Sequence, residues 1–181
     1  IPYYRTISGL TLLLRSINKF TKNIPSINII GFEDIDFSIS EIEKQTKIRV
    51  NYINTNIENV ELRMHEYLSK TKFDKSLFIH TDIEIIEYDP IEEIFKLSEY
   101  DNNIGLIGQY EPGRFSSSYQ NYYKPRLWSF FTLFNVKLLR ERKIFIEDSD
   151  KHNNNKIEAG WTNKGIQTFP EIIFYKASLK N

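Results

Sequence analysis

SLFIHTDIE, residues 76–84, is the stretch on which the reading of this chain turns. Ser76, Leu77, Phe78, Ile79 and His80 form a short, largely apolar run of the kind that makes a strand buried on both faces. Two carboxylates, Asp82 and Glu84, follow it one residue apart. In extended chain, residues i and i+2 project to the same side, so the spacing predicts that both carboxylates converge on one hard cation. Mg2+ or Mn2+ suits such oxygen donors, and an ion held by one or two carboxylates keeps positions open for diphosphate oxygens. Its charge then serves as a Lewis acid toward a departing nucleoside diphosphate. A D-x-E triplet can also do no more than solubilise a strand end. Its position after a buried strand is what favours a site here.

Outward from that triplet the pattern alternates. Residues 11–20 carry apolar side chains at helical spacing, and residues 26–32 form a β-branched run ending near Gly31 and the acidic loop Glu33, Asp34, Asp36. Residues 38–45 predict a short helix capped by Ser38 or Ser40, and residues 48–54 alternate with the period of a strand. Asn56 can cap a third helix carrying Val60, Leu62, Met64, Tyr67 and Leu68, which leads into the 76–80 strand. With Ile1 in or at the end of a first strand, the order is β, α, β, α, β, α, β. Strands and helices in alternation imply right-handed crossovers, so the expected fold is a single-domain, Rossmann-like α/β protein with a mostly parallel sheet flanked by helices. Ligands of such sheets bind beyond the carboxyl ends of the strands.

The second half is less regular. A helix is expected near 91–97, a strand at 104–108, a loop over 111–124, an apolar run over 127–139, a polar loop over 148–155 and a last strand at 172–175. Trp128, Phe130, Phe131, Leu133 and Phe134 form the densest apolar run and are read as core. Tyr110, Phe115, Tyr119, Tyr122 and Tyr123 suit the apolar faces of sugar rings, and Gly113 with Ser116 to Ser118 suggests a loop able to close over a ligand.

Composition removes several classes of function. The 181 residues suffice to bury a core, and 24 basic against 24 acidic side chains leave no net field to hold a nucleic acid. Cysteine is absent, which excludes disulfides, thiolate metal sites and a cysteine nucleophile. No stretch approaches the ~18 consecutive apolar residues of a membrane span, and Ile1-Pro2-Tyr3-Tyr4-Arg5 lacks the order of a signal peptide. A soluble, cytoplasmic protein is the expectation.

Strand, helix, strand, helix, strand and then a D-x-D-like triplet resembles the nucleotide-binding half of GT-A glycosyltransferases over residues 1–87, with 88–181 as the acceptor-side half. Residues 1–6 are similar to the first strand end of that family, and Glu84 stands where a second aspartate is usual. The resemblance implies a nucleotide-sugar donor, UDP- or GDP-linked, a glycan, protein or lipid acceptor, and Mn2+ or Mg2+ on Asp82 and Glu84. It further implies that Tyr4, Arg5, Glu33, Asp34, Arg63 and Asp82 line the nucleotide site. Arg63 has a second reading as a surface cation paired with Glu66. An inverting transfer needs a base for the acceptor hydroxyl. Asp148 and Asp150, in the acidic stretch after Ile144-Phe145-Ile146, are the candidates, and His152 is a possible further metal ligand. The rival from another class is a non-catalytic nucleotide- or carbohydrate-binding module of the same fold. A nucleotidylyltransferase is weakened by the lack of a glycine-rich phosphate loop after the first strand.

Overall fold

A computed structural model describes residues 1–3, 7–31, 38–55, 57, 60–111, 114–116, 121–123 and 126–141, with side chains except at 60–62, 65 and 109–130. The first helix, α1 (Ile7–Phe20), buries Leu10, Leu13, Leu14 and Ile17, the i, i+3, i+4, i+7 stripe of an amphipathic helix. Strand β1 (Ile27–Gly31) follows, then α2 (Ile39–Thr46) and β2 (Val50–Asn54). Ser38, rather than Ser40, caps α2: its Oγ accepts the Glu41 N–H. Lys47 closes the helix in the left-handed region at φ 59°, donating its N–H to the Glu43 carbonyl.

Helix α3 (Val60–Lys70) leads to β3 (Lys75–Ile79), and α4 (Pro90–Leu97) follows the acidic triplet. Asp89 caps α4 by accepting the Glu92 N–H at 3.0 Å, with Pro90 in the first turn where its missing donor costs nothing. The other Asp89 oxygen accepts the Lys22 N–H at 3.0 Å, so one carboxylate starts α4 and ties it to the chain leaving α1. The rest is β4 (Leu106–Glu111), β5 (Arg114–Ser116), β6 (Asn121–Tyr123), β7 (Arg126–Asn135) and α5 (Val136–Glu141).

The expected α/β, Rossmann-like fold is the observed one. β1 and β2 pair in parallel, Gly31 opposite Asn54, and Pro2 bridges Ile30 in parallel on the other side of β1. Parallel pairing is confined to this first half among the described strands. β7 lies between β3 and β4 and is antiparallel to both. Among the described residues no helix lies between β4 and β7, and strands joined without a crossover run antiparallel. The loop expected over 111–124 is corrected: it contains the antiparallel pair β5–β6, with Phe115 opposite Tyr122. The apolar run over 127–139 divides into a strand and a helix at Asn135, whose Oδ1 accepts the Leu138 N–H.

Two cores cover the two faces of these strands. Ile27, Ile29 and Ile79 pack with Tyr3, α1 and Ile42 of α2, whereas Ile30 and Phe78 pack with Met64 and Leu68 of α3, Phe134, and Val136 and Leu139 of α5. Neighbouring residues of one strand thus serve opposite cores, as the period of two demands. The result is a three-layer helix, sheet, helix arrangement.

Candidate functional site

The first strand segment, β1 and β2 present their carboxyl ends together. Tyr3 donates its N–H to the Ile30 carbonyl at 2.8 Å, and Thr55, just past β2, donates its N–H to the Gly31 carbonyl at 2.8 Å. Ile79, the last residue of β3, is buried in the same core as Tyr3. Tyr4, Arg5, Glu33 and Asp34, which depart from these ends, lie outside the described residues, as do Asp148, Asp150 and His152. The structure therefore describes the frame from which the nucleotide candidates leave.

Gly31 shows why a glycine ends β1. A Cβ built there would lie 1.8 Å from the Tyr52 hydroxyl oxygen, so the Tyr52 ring occupies the space that a side chain would need.

Asp82 and Glu84 differ from the extended geometry that the spacing implied. β3 ends at Ile79, and the Ile83 N–H folds back onto the His80 carbonyl at 3.3 Å, which places Asp82 in a turn. Both carboxylates are exposed. Glu84 also lines a shallow hollow on α1 with Arg15 and Lys19, whereas Asp82 does not. As donors, the two fit a hard divalent cation, since both are solvent-accessible carboxylates that leave most of the coordination sphere to a diphosphate and water. Among the described residues, no group of three or more His, Cys, Asp or Glu is placed to hold a metal ion.

His80 is half-buried, and desolvation holds its imidazole below the usual range, opposed by the nearby Asp82 carboxylate. Burial thus favours the neutral form of this imidazole.

Arg63 is not the surface cation of the alternative reading. Its side chain is 0% exposed and donates from Nη1 to the Tyr3 carbonyl at 3.0 Å, while Glu66 pairs with Lys70 one turn on. A buried guanidinium must be held by acceptors, and one of these is the backbone of the residue before Tyr4 and Arg5. The structure thus puts Arg63 beneath the backbone at Tyr3.

Sequence reasoning missed Ser16. Its Oγ donates to the Leu13 carbonyl at 2.7 Å and accepts the Ile85 N–H at 3.0 Å, fixing the residue that follows Glu84 against α1. The available signal was a hydroxyl on the buried stripe of a leucine-rich helix. Among the described residues, two further hollows, of about 290 and 580 Å3, are lined by neither Asp82 nor Glu84. Among the described residues, no helix is long and apolar enough to cross a membrane.

A scan of protein-family models finds no match to this chain, and a search of curated proteins finds none. Among solved structures, it is similar to the crystal structure of S. aureus TarS 1–349, at 14% identity and TM-score 0.54, over 82% of this chain and 49% of that one. It is also similar to the same protein in complex with UDP, at 15% identity and TM-score 0.51, over 80% and 48%. A CMP:2-keto-3-deoxy-manno-octonic acid synthetase complexed with CTP is superimposed at 9% identity and TM-score 0.46, over 84% and 78%. The chain spans about half the length of the TarS structures it matches, and at these identities the likeness is one of fold: a Rossmann-like α/β domain shared with a protein solved with UDP.

Proposed function

We propose that this chain carries the donor-binding machinery of a metal-dependent glycosyltransferase, moving a sugar from a UDP- or GDP-linked donor to a hydroxyl of a glycan, protein or lipid. The observation that carries the reading is Asp82. It is an exposed carboxylate in the turn that directly follows the buried strand β3, in a fold similar to one solved with UDP.

In this reading Asp82, with Glu84 directly or through water, holds Mn2+ or Mg2+, which supplies Lewis-acid charge for the departing diphosphate. Tyr4, Arg5, Glu33 and Asp34 meet the base and ribose, and Arg63 fixes the backbone that presents the first two. Asp148 or Asp150 removes the acceptor hydroxyl proton as that oxygen bonds to the anomeric carbon. The bond from that carbon to the nucleotide oxygen breaks with inversion.

Turnover of labelled UDP- and GDP-sugars, with Mn2+, with Mg2+ and with chelator, tests the proposal. Transfer or slow hydrolysis that disappears with chelator supports it. The placement of Glu84 beside Arg15 and Lys19 favours the competing reading, a binding module without chemistry. Calorimetric binding that ignores the metal, with no turnover of any donor, would establish that module instead.

A further inference from the structure

The hollow of about 580 Å3 is walled by the end of β2, the last turns of α3 and the residues that follow that helix. Its volume falls within the roughly 300–1,000 Å3 of small-molecule sites. One of its lining residues departs from what the fold asks of its position. Ile30 packs on Met64 and Leu68 of α3, so Asn28, two residues earlier on β1, faces the same side of the sheet. Parallel strands covered by helices are ordinarily apolar at such positions. Here an amide stands instead, and it is held in place. Asn28 Nδ2 donates to the Tyr67 hydroxyl at 3.1 Å, and Asn28 Oδ1 accepts from Asn51, its register partner on β2, at 3.4 Å.

The rest of the wall combines aromatic rings with neutral polar groups. Tyr67 and Phe73 both line the hollow, and Phe73 is 49% exposed. Asn54 and Thr55 add an amide and a hydroxyl beside the end of β2. Glu66 and Lys70, which also line it, form an ion pair and so largely cancel in charge. A phosphate calls for several converging cations. A wholly apolar ligand would cover the amides without bonding them, which is costly. A sugar ring meets both demands: its hydroxyls donate and accept, as amides do, and its C–H faces lie on aromatic rings.

We infer that this hollow binds a neutral saccharide of one or two residues, at a site separate from the proposed donor site. The ring lies against Phe73 and Tyr67, and its hydroxyls exchange hydrogen bonds with Asn28 and Asn54. Neither Asp82 nor Glu84 lines the hollow, so binding there needs no metal and no diphosphate.

The test uses the whole chain, titrated separately with glucose, galactose, N-acetylglucosamine and maltose and followed by two-dimensional NMR of backbone and asparagine side-chain amides. At least one sugar is expected to give saturable shifts at Asn28, Asn54 and Phe73. Phe73→Ala should weaken that binding by roughly tenfold, through loss of the ring that the sugar lies on. Asn54→Ala, at the other end of the hollow, should weaken it as well. Both side chains are exposed, so both variants should keep the thermal midpoint of the parent chain. Added UDP and the Asp82→Asn variant should leave the shifts unchanged, which reads this site independently of donor turnover. Absence of saturable shifts with all four sugars overturns the inference. So do shifts that both variants leave at full affinity, and shifts that UDP or Asp82→Asn abolishes, since the sugar would then occupy the donor site.

Discussion

At the residue scale, Asp82 and Ser16 separate chemistry from support. Asp82 is exposed and in a turn, so Asp82→Asn is expected to leave the denaturation midpoint within error. In the proposed enzyme it should lower metal-dependent turnover by roughly 100-fold or more, because it removes charge aimed at the departing diphosphate. Paired steady-state kinetics and urea unfolding check both halves of that statement. Ser16→Ala should do the reverse of the second half. It strips the Ile85 N–H of its buried acceptor and should cost about 1–3 kcal/mol in urea unfolding, the penalty for an unsatisfied buried donor. Asp82 was legible in the sequence because a carboxylate just past a buried run is a local pattern. Ser16 was not, since its partner lies 69 residues away.

At the element scale, helix starts and strand contacts set the frame. Asp89 serves two donors, the Glu92 N–H and the Lys22 N–H. Asp89→Ala should therefore cost about 1–2 kcal/mol by denaturant titration, at the upper end for a lost N-cap. Asp89→Asn should recover only the capping part of that, because its one amide oxygen can accept from Glu92 while its NH2 cannot accept from Lys22. Within the sheet, Gly108 of β4 faces Thr132 of β7. A Cβ there would lie 2.6 Å from Thr132 Oγ1 and 3.2 Å from the Phe131 carbonyl, and Thr132 is 0% exposed. Gly108→Ala should destabilise by about 1–3 kcal/mol, the usual range for overpacking, because the neighbouring backbone cannot step aside. Loss of stability below that range would mean that the β4–β7 contact is looser than described. Helix α1 and the caps of α2 and α4 follow from residues within four positions of one another, and these elements matched their expected positions closely. The β5–β6 pair escaped notice because serines and a glycine in that stretch signal turns without revealing which strands they join.

At the scale of the whole molecule, the single-domain expectation is itself testable through the two cores. Leu14 lies in the core on one face of the sheet and Phe134 in the core on the other, both 0% exposed. Leu14→Ala should cost about 2–5 kcal/mol and Phe134→Ala about 3–5 kcal/mol. In chemical denaturation each variant should keep one transition, with both fluorescence and circular dichroism reporting the same midpoint. Two separated transitions would show that the halves unfold independently. By itself, the sequence determined the alternation of helices and strands, the Rossmann-like class and the place of Asp82 beyond a buried strand. All of these rest on hydrophobic period, caps and β-branched runs, which act between near neighbours in the chain. Only the tertiary structure decided the rest. It put Arg63 beneath the Tyr3 backbone, folded the acidic triplet into a turn and set β7 antiparallel between β3 and β4. Arg63 reaches a carbonyl 60 residues away, and sheet order is likewise a choice among distant partners. Such choices follow from the burial and pairing of the whole chain, which no local pattern records.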